Sequence, residues 1–551
     1  MTGTRAAIDV NPDSLRTPSP SAWPQYPFND APGVREQSLP RYRIWSDTGV
    51  RIPMRDGITL AADVFRPAAA ERFPALVAVS PYSRQLQRTD VAIGQNEAGL
   101  TEFWVPRGYI HVVVDVRGSN DSEGSWDMFG PIEQQDGADV IEWVARQPWC
   151  SGKVGMVGCS YFGRSQLLIS TRAQPPSLTA IFPYDAATDA YRDSFFHGGI
   201  PADGFVRNWL ANINAYSLSS GRLKDPSGIH QHTQNLMGLR HPLDGEYFQE
   251  RSSGPRLHRT TIPTYFGSDW EFFALHLRGA FSGWEGVSST SKRMLVGPRP
   301  RPFRPLAAFH LEALRWYDHW LKGLDTGVME GPPIRLWIPG ENTWRAENEW
   351  PLKRTEWRTL FLGGPASAPE AALQDVAGAD HERTYEVDPT SYEARSGNPR
   401  LVYRSAPFDR PTEITGPIAL TLVAQSSATD TDWFVSLLDE APDGGARSLT
   451  RGWLRASHRA VDPDRSRPWQ PWHPHTDAVP LKPNTPEEFA IEVVSTCNLF
   501  LPGHRLRLEI ASCDSVTDNF AWYHAALPVR ARNTVLEGRR GSRLLLPFIP
   551  R

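Results

Sequence analysis

The sequence predicts an α/β domain with a mostly parallel sheet, interrupted by an insertion and followed by an all-β domain. Three observations carry this reading. Between residues 45 and 330 short apolar runs alternate with stretches whose apolar residues recur at helical spacing. Over residues 185–258 that rhythm gives way to a long aromatic and polar interval. Beyond Gly331 the runs turn short and alternating, separated by turns such as PDGG and LPGH.

The elements follow in order. Residues 1–44 are rich in Pro, Ser and Asp and read as a surface arm. Asp56-Gly57 reads as a hairpin turn between RIPMR and ITLAADVFRP. Ala75–Ser80, Ile110–Val116, Val154–Gly158, Leu178–Phe182, Pro263–Gly267 and Arg293–Gly297 are the strand candidates. Glu133–Arg146, Phe162–Arg172, Phe272–Ser282 and Ala307–Leu321 are the helix candidates. The core thus occupies 45–184 and 259–330. The insertion at 185–258, helical in patches such as Phe205–Tyr216, is expected over the carboxyl ends of the strands, where ligands bind in such sheets. Residues 331–551 read as a β-sandwich.

Composition narrows the function classes. With 551 residues the chain exceeds a single core. A net charge of −4 leaves no electrostatic footprint for nucleic acid or an anionic membrane. The four cysteines show no CxxC spacing and no nearby histidine pair, so neither a metal nor a cofactor is expected. The N-terminus lacks the apolar segment of a secretory signal, and no run approaches the roughly 18 apolar residues of a membrane span. The expectation is a cytoplasmic protein with a small-molecule substrate, with self-association left open. The 20 tryptophans suit sheet-packing cores better than an aromatic pocket.

The strongest local signal is Gly155-Met-Val-Gly158-Cys159-Ser160-Tyr161-Phe162-Gly163. An apolar strand ends in a sharp turn and a helix follows, the context of a nucleophile elbow. Such a turn lifts a serine hydroxyl clear of the sheet, beside helix N-terminal amides able to stabilise an oxyanion. The spacing is GxSxxG rather than GxSxG. Ser160 is therefore the candidate nucleophile of an α/β-hydrolase fold.

Around this elbow lie further motifs in a fixed order. They are Pro53-Met-Arg-Asp-Gly57, Leu60-Ala-Ala-Asp-Val-Phe-Arg-Pro67, Ser80-Pro81-Tyr82, Asp115-Val116-Arg117-Gly118 and Ser122-Glu123-Gly124. Gln147-Pro148-Trp149-Cys150 precedes the elbow; Val296-Gly297-Pro298, Trp316-Tyr-Asp-His-Trp-Leu-Lys-Gly323 and Ser542-Arg-Leu-Leu-Leu-Pro547 follow it. Across roughly 500 residues the chain resembles the cocaine-esterase and X-prolyl dipeptidyl-peptidase (CocE/NonD) family of serine hydrolases. The resemblance implies an α/β-hydrolase domain with an inserted helical cap and a C-terminal jelly roll. It also implies an oxyanion hole made by the Tyr82 hydroxyl and the Tyr161 backbone N–H.

Two positions depart from the family pattern. Where the family has Gly-Trp-Tyr-Asp, this chain reads Gly267-Ser268-Asp269-Trp270-Glu271. Trp270 takes the acid position, and Asp269 is preferred to Glu271 as its replacement. Where the family has Gly-Pro-Trp-x-His, this chain reads Gly297-Pro298-Arg299-Pro300-Arg301. An arginine stays protonated and cannot accept the serine proton. Arg301 is instead a candidate clamp for an anionic substrate group. His310 is the nearest histidine in sequence, with His197 and His276 as alternatives. Three readings stay open: a Ser160 hydrolase or acyl-transfer enzyme acting on an ester or amide, a catalytically dead binding protein, and a lyase or cyclase using the oxyanion hole.

Overall fold

The computed structural model describes residues 5–8, 36–88, 97–219, 240–298, 309–364, 371–389, 399–515, 522–539 and 541–551. Its strands begin with β1 (Arg5–Ile8), β2 (Ile44–Pro53), β3 (Thr59–Pro67), β4 (Phe73–Ser80), β5 (Ile110–Asp115), β6 (Cys150–Met156) and β7 (Leu178–Ile181). A two-residue hairpin, β8 (Phe196–His197) and β9 (Ile200–Pro201), precedes β10 (Thr264–Asp269), β11 (Lys292–Gly297), β12 (Ile334–Ile338) and β13 (Thr343–Glu347). All but the hairpin form one sheet, in the order β1-β2-β3-β5-β4-β6-β7-β10-β11-β12-β13. Its centre, from β5 to β12, is parallel.

Parallel strands need cover on both faces, and the sequence supplies it. β4 reads FPALVAVS and is buried along its whole length. The helices that pair with these strands are α1 (Thr101–Trp104), α2 (Pro131–Ala145), α3 (Tyr161–Arg172), α4 (Asp203–Ser219), α5 (Glu246–Glu250), α6 (Leu277–Gly286) and α7 (His310–Tyr317). Both α4 and α5 belong to the 185–258 insertion, which also carries the β8–β9 hairpin; residues 220–239 of it lie outside the described residues.

Several expectations change. The Phe272–Ser282 helix starts only at Leu277, because the Asp269 carboxylate accepts the N–H groups of Glu271 and Phe272 at 2.9 and 3.1 Å and turns the chain first. Within the supposed arm, Arg5–Ile8 pairs antiparallel with β2 and forms the sheet edge; residues 9–35 lie outside the described residues. The first sheet does not end at residue 330. The IRLWI segment of β12 buries Ile334, Leu336 and Ile338 beside β11, and β13 closes that edge. The change of sheet falls between Glu347 and Glu356.

The C-terminal strands form a second, eleven-stranded sheet. Thr412–Ser426 pairs with Glu487–Phe500, with Ala531–Glu537 and with Arg543–Ile549, so the ladder folds back on itself in a barrel-like way. Its core, with Trp433, Phe489 and Leu508, is separate from that of the first sheet. It meets the insertion where the Arg455 N–H donates to the Gly198 carbonyl at 2.8 Å. The four cysteines are buried and none is in a disulfide. No helix among the described residues is long and apolar enough to cross a membrane.

Candidate active site

Ser160 sits between β6 and α3 with φ 58° and ψ −116°. Few residues other than glycine tolerate this geometry, and here the surrounding backbone holds it in place. The Ser160 N–H donates to the Tyr184 carbonyl and the Cys159 N–H to the Glu97 carbonyl, both at 3.0 Å. Gly158 has φ 126°, and a Cβ there would lie 2.4 Å from Phe162 Cβ. A Cβ on Gly163 would lie 2.4 Å from the Tyr184 oxygen, the same carbonyl that receives Ser160. The second glycine of GxSxxG is thus set by the approach of α3 to residue 184.

Ser160 opens on a cavity of about 430 Å³ that Tyr82, Phe129, Tyr161, Arg164, Ser194, Trp209 and His276 help to line. Tyr82 follows β4, and its phenol faces the Ser160 hydroxyl. Trp209, reaching in from α4, donates its indole N–H to the Tyr82 oxygen at 2.8 Å. That bond occupies an acceptor site on the phenol and leaves its proton to donate. Burial raises the Tyr82 pKa well above the usual tyrosine value, with nearby Glu97 adding to the effect, so the proton stays in place. Tyr161 is the first residue of α3, where N–H groups have no intrahelical acceptor. Its own phenol donates to Glu133 at 2.6 Å, and its ring stacks on Phe129 at 3.9 Å.

The base side is arranged differently. Asp269 is fully buried at the end of β10, where its carboxylate caps the next turn; it is not among the residues that line the cavity. Trp270 turns away, its indole N–H donating to the Trp337 carbonyl at 2.8 Å and its ring packing near Phe281 and Trp350. Glu271 does not line the cavity either.

His310 is 2% exposed, stacked on Phe103 at 4.5 Å and edge-on to Trp104 at 5.4 Å. It does not line the Ser160 cavity, because the first turn of α7 packs it against α1 instead. Burial, assisted by the Arg107 charge, lowers its pKa to about 3. Arg301 lies outside the described residues.

His276, just before α6, does line the cavity, and it is the sole imidazole among the described residues that does so. Its Nδ1 is buried without a hydrogen-bond partner. Burial, reinforced by the Arg164 charge, lowers its pKa to about 3, so the ring is neutral at physiological pH. His197 lines a neighbouring cavity of about 590 Å³. There its Nδ1 lies 2.7 Å from His524 Nε2, and His524 Nδ1 lies 3.0 Å from Asp514. A carboxylate–imidazole–imidazole relay therefore exists, but it is assembled beside the Ser160 cavity.

Ser160, Tyr82 and Tyr161 line one cavity, together with Arg164 and Trp209, which the sequence did not single out. Arg164 carried a readable signal, since it falls in the first turn of the helix that follows the elbow serine. Trp209 carried none, because its contact with Tyr82 spans 127 residues. Among the described residues no cluster of His, Cys, Asp and Glu forms a metal site.

Two family models match the chain. "X-Pro dipeptidyl-peptidase (S15 family)" covers residues 56–298, and "X-Pro dipeptidyl-peptidase C-terminal non-catalytic domain" covers residues 326–538. A protein of Mycobacterium bovis named as a serine esterase is 29% identical, over 96% of this chain and 99% of its own length. The cocaine esterase of a Rhodococcus species is 27% identical over 84% of this chain and 90% of its own. Among solved structures, a CocE/NonD family hydrolase from Staphylococcus aureus superposes with a TM-score of 0.81 at 24% identity, covering 92% of this chain and 94% of that one. An α-amino acid ester hydrolase superposes with a TM-score of 0.72 at 19% identity, covering 95% and 99%.

Proposed function

We propose that the chain is a serine hydrolase of the X-Pro dipeptidyl-peptidase (S15) kind, whose family models match residues 56–298 and 326–538, and that Ser160 attacks the carbonyl of a small-molecule ester or amide. The observation that carries this reading is the strained Ser160, held at the mouth of a cavity opposite a protonated phenol. Attack joins Ser160 Oγ to the carbonyl carbon and puts negative charge on the carbonyl oxygen. The Tyr82 O–H and the Tyr161 N–H supply donors for that charge, and an oxyanion donor is worth about 10²–10³ in kcat.

The serine proton goes to His276, which is neutral, unpartnered at Nδ1 and on the wall of the same cavity. It then passes to the departing alcohol or amine, and the acyl group is released to water or to a second nucleophile. With its pKa near 3 and no carboxylate behind the ring among its hydrogen-bond partners, His276 is a weak base. Slow turnover follows. The C-terminal strands, read as a jelly roll, brace the insertion through the Gly198–Arg455 contact.

Labelling with a fluorophosphonate probe, together with turnover of 4-nitrophenyl hexanoate, tests the reading. Ser160→Ala should abolish labelling and lower kcat by at least ~10³-fold. A folded wild-type protein that stays unlabelled and turns over no ester would overturn it in favour of a binding protein.

A further inference from the structure

Arg164 lies one helical turn from the proposed nucleophile, its backbone N–H donating to the Ser160 carbonyl at 2.8 Å. The guanidinium is 5% exposed and lines the Ser160 cavity. Its partners are neutral: Nη2 donates to the Arg251 carbonyl at 2.7 Å and Nη1 to Ser194 Oγ at 3.4 Å. Nε has no partner at all.

Neighbouring buried arginines are not left this way. Arg192 is paired with Asp189 and Asp244, Arg278 with Asp193 and Glu492, and Arg251 with Asp127. The acids around Arg164 are engaged elsewhere. Asp193 is held by Arg278 at 3.1 Å, and Glu133 accepts the Tyr161 hydroxyl. Burial pushes the Glu133 pKa up to about 8, so that carboxyl stays largely protonated at neutral pH and does not balance the charge. Arg164 is thus a buried cation with no carboxylate in direct contact among the described residues, the nearby Asp193 and Asp189 being paired with other arginines, and it lines the space a substrate would fill. Such a charge is costly unless a ligand pairs it.

Resting on the reading of Ser160 as nucleophile, we infer that the cavity takes an ester or amide bearing a second, non-reacting carboxylate, which Arg164 receives. Phe195, Phe205, Val206 and Leu275 give the wall apolar surface, so a short hydrocarbon chain between the two carbonyl groups suits it. Burial lowers the Arg164 pKa only to about 10, and the group remains charged at neutral pH. Pairing would also act on the chemistry. The Arg164 charge is one reason His276 is a weak base, so a carboxylate docked on Arg164 cancels that repulsion and favours proton transfer from Ser160. A substrate of the right charge would then activate its own cleavage.

The test compares kcat/KM for 4-nitrophenyl hydrogen adipate and 4-nitrophenyl hexanoate, which differ chiefly in the terminal carboxylate. The wild type should favour the adipate by on the order of 10²-fold. Arg164→Gln should bring that ratio to about one or invert it, and Arg164→Lys should keep part of it. Since the readout is a ratio, a partly unfolded variant does not mimic the effect. Binding of monomethyl adipate and methyl hexanoate to the Ser160→Ala protein gives the same discrimination without turnover. Preference for hexanoate in the wild type, or an unchanged ratio in Arg164→Gln, overturns the inference and leaves the Ser160 reading standing. Failure of both esters with carboxylate-selective binding intact sinks the Ser160 reading instead and supports the carboxylate site.

Discussion

Ser160 stands on a turn fixed by the backbone of Glu97 and Tyr184, whereas His276, on the wall of the same cavity, follows a turn whose hydrogen bond at His276 is local, its N–H donating to the Phe272 carbonyl. On the Ser160 side the carbonyls of residues 97 and 184 hold residues 159 and 160, and two glycines leave no room for a Cβ. On the His276 side the chain loops from Asp269 to Leu277 with short turns, the His276 N–H donating to the Phe272 carbonyl at 3.0 Å. An imidazole pair backed by a carboxylate stands instead at His197, His524 and Asp514, with His197 on the wall of the next cavity. The comparison teaches that the Ser160 turn is held by main-chain packing, whereas the character of the His276 wall is set by its side chains. A base needs only a side chain on the right wall, and its strength is then set by which charges stand near it.

Three changes would break or sharpen that contrast. The largest effect is expected at His276. Replacing it by alanine should lower kcat by about 10²–10⁴-fold, the usual contribution of a positioned base, while KM for the hexanoate ester moves little. Steady-state kinetics with thermal unfolding as a control would show it, and unchanged kcat would return the base side to an unassigned state.

Gly163→Ala should be next. Its Cβ would meet a backbone oxygen at 2.4 Å, and overpacking of this kind costs about 1–3 kcal/mol. Because α3 must shift away from Tyr184, fluorophosphonate labelling should fall together with the unfolding temperature. A variant as stable and as reactive as the wild type would mean that the main chain does not fix the elbow.

The smallest effect concerns acid sensitivity. His310 is neutral in the fold, with its pKa lowered from 6.5 to about 3. A depressed folded-state value means that the unfolded chain binds the proton first. The stability His310 contributes is therefore present above pH 6.5 and is lost as pH falls toward about 3. His310→Phe should flatten that part of the acid limb in a melting-temperature profile and leave the kcat ratio of the two esters unchanged. An altered ester ratio would restore His310 to the active site.

Periodicity and turn chemistry made much of the fold legible. β4, β5 and β11 read as apolar runs because a parallel strand covered on both faces has no polar side to show. The elbow was legible because its glycines answer to local backbone geometry. The extent of the first sheet was not. β12 and β13 alternate like the strands that follow them, and only pairing with β11 assigns them to the first sheet. Asp269 and His310 carried the right chemistry at nearby positions, yet a carboxylate used as a turn cap and an imidazole stacked on Phe103 leave nothing aimed at Ser160.

By itself the sequence determined the alternation of strand and helix and the strand–turn–helix setting of Ser160, since each depends on residues adjacent in the chain; the phenol of Tyr82 opposite it was implied only by the family resemblance. The tertiary structure alone decided which histidine lines the cavity, that Trp209 orients the Tyr82 phenol, and that Arg164 goes without an acid in direct contact while its neighbours are paired. Those outcomes depend on contacts between segments many residues apart. A side chain's charge and basicity are set by what packing places around it, and no local pattern carries that information.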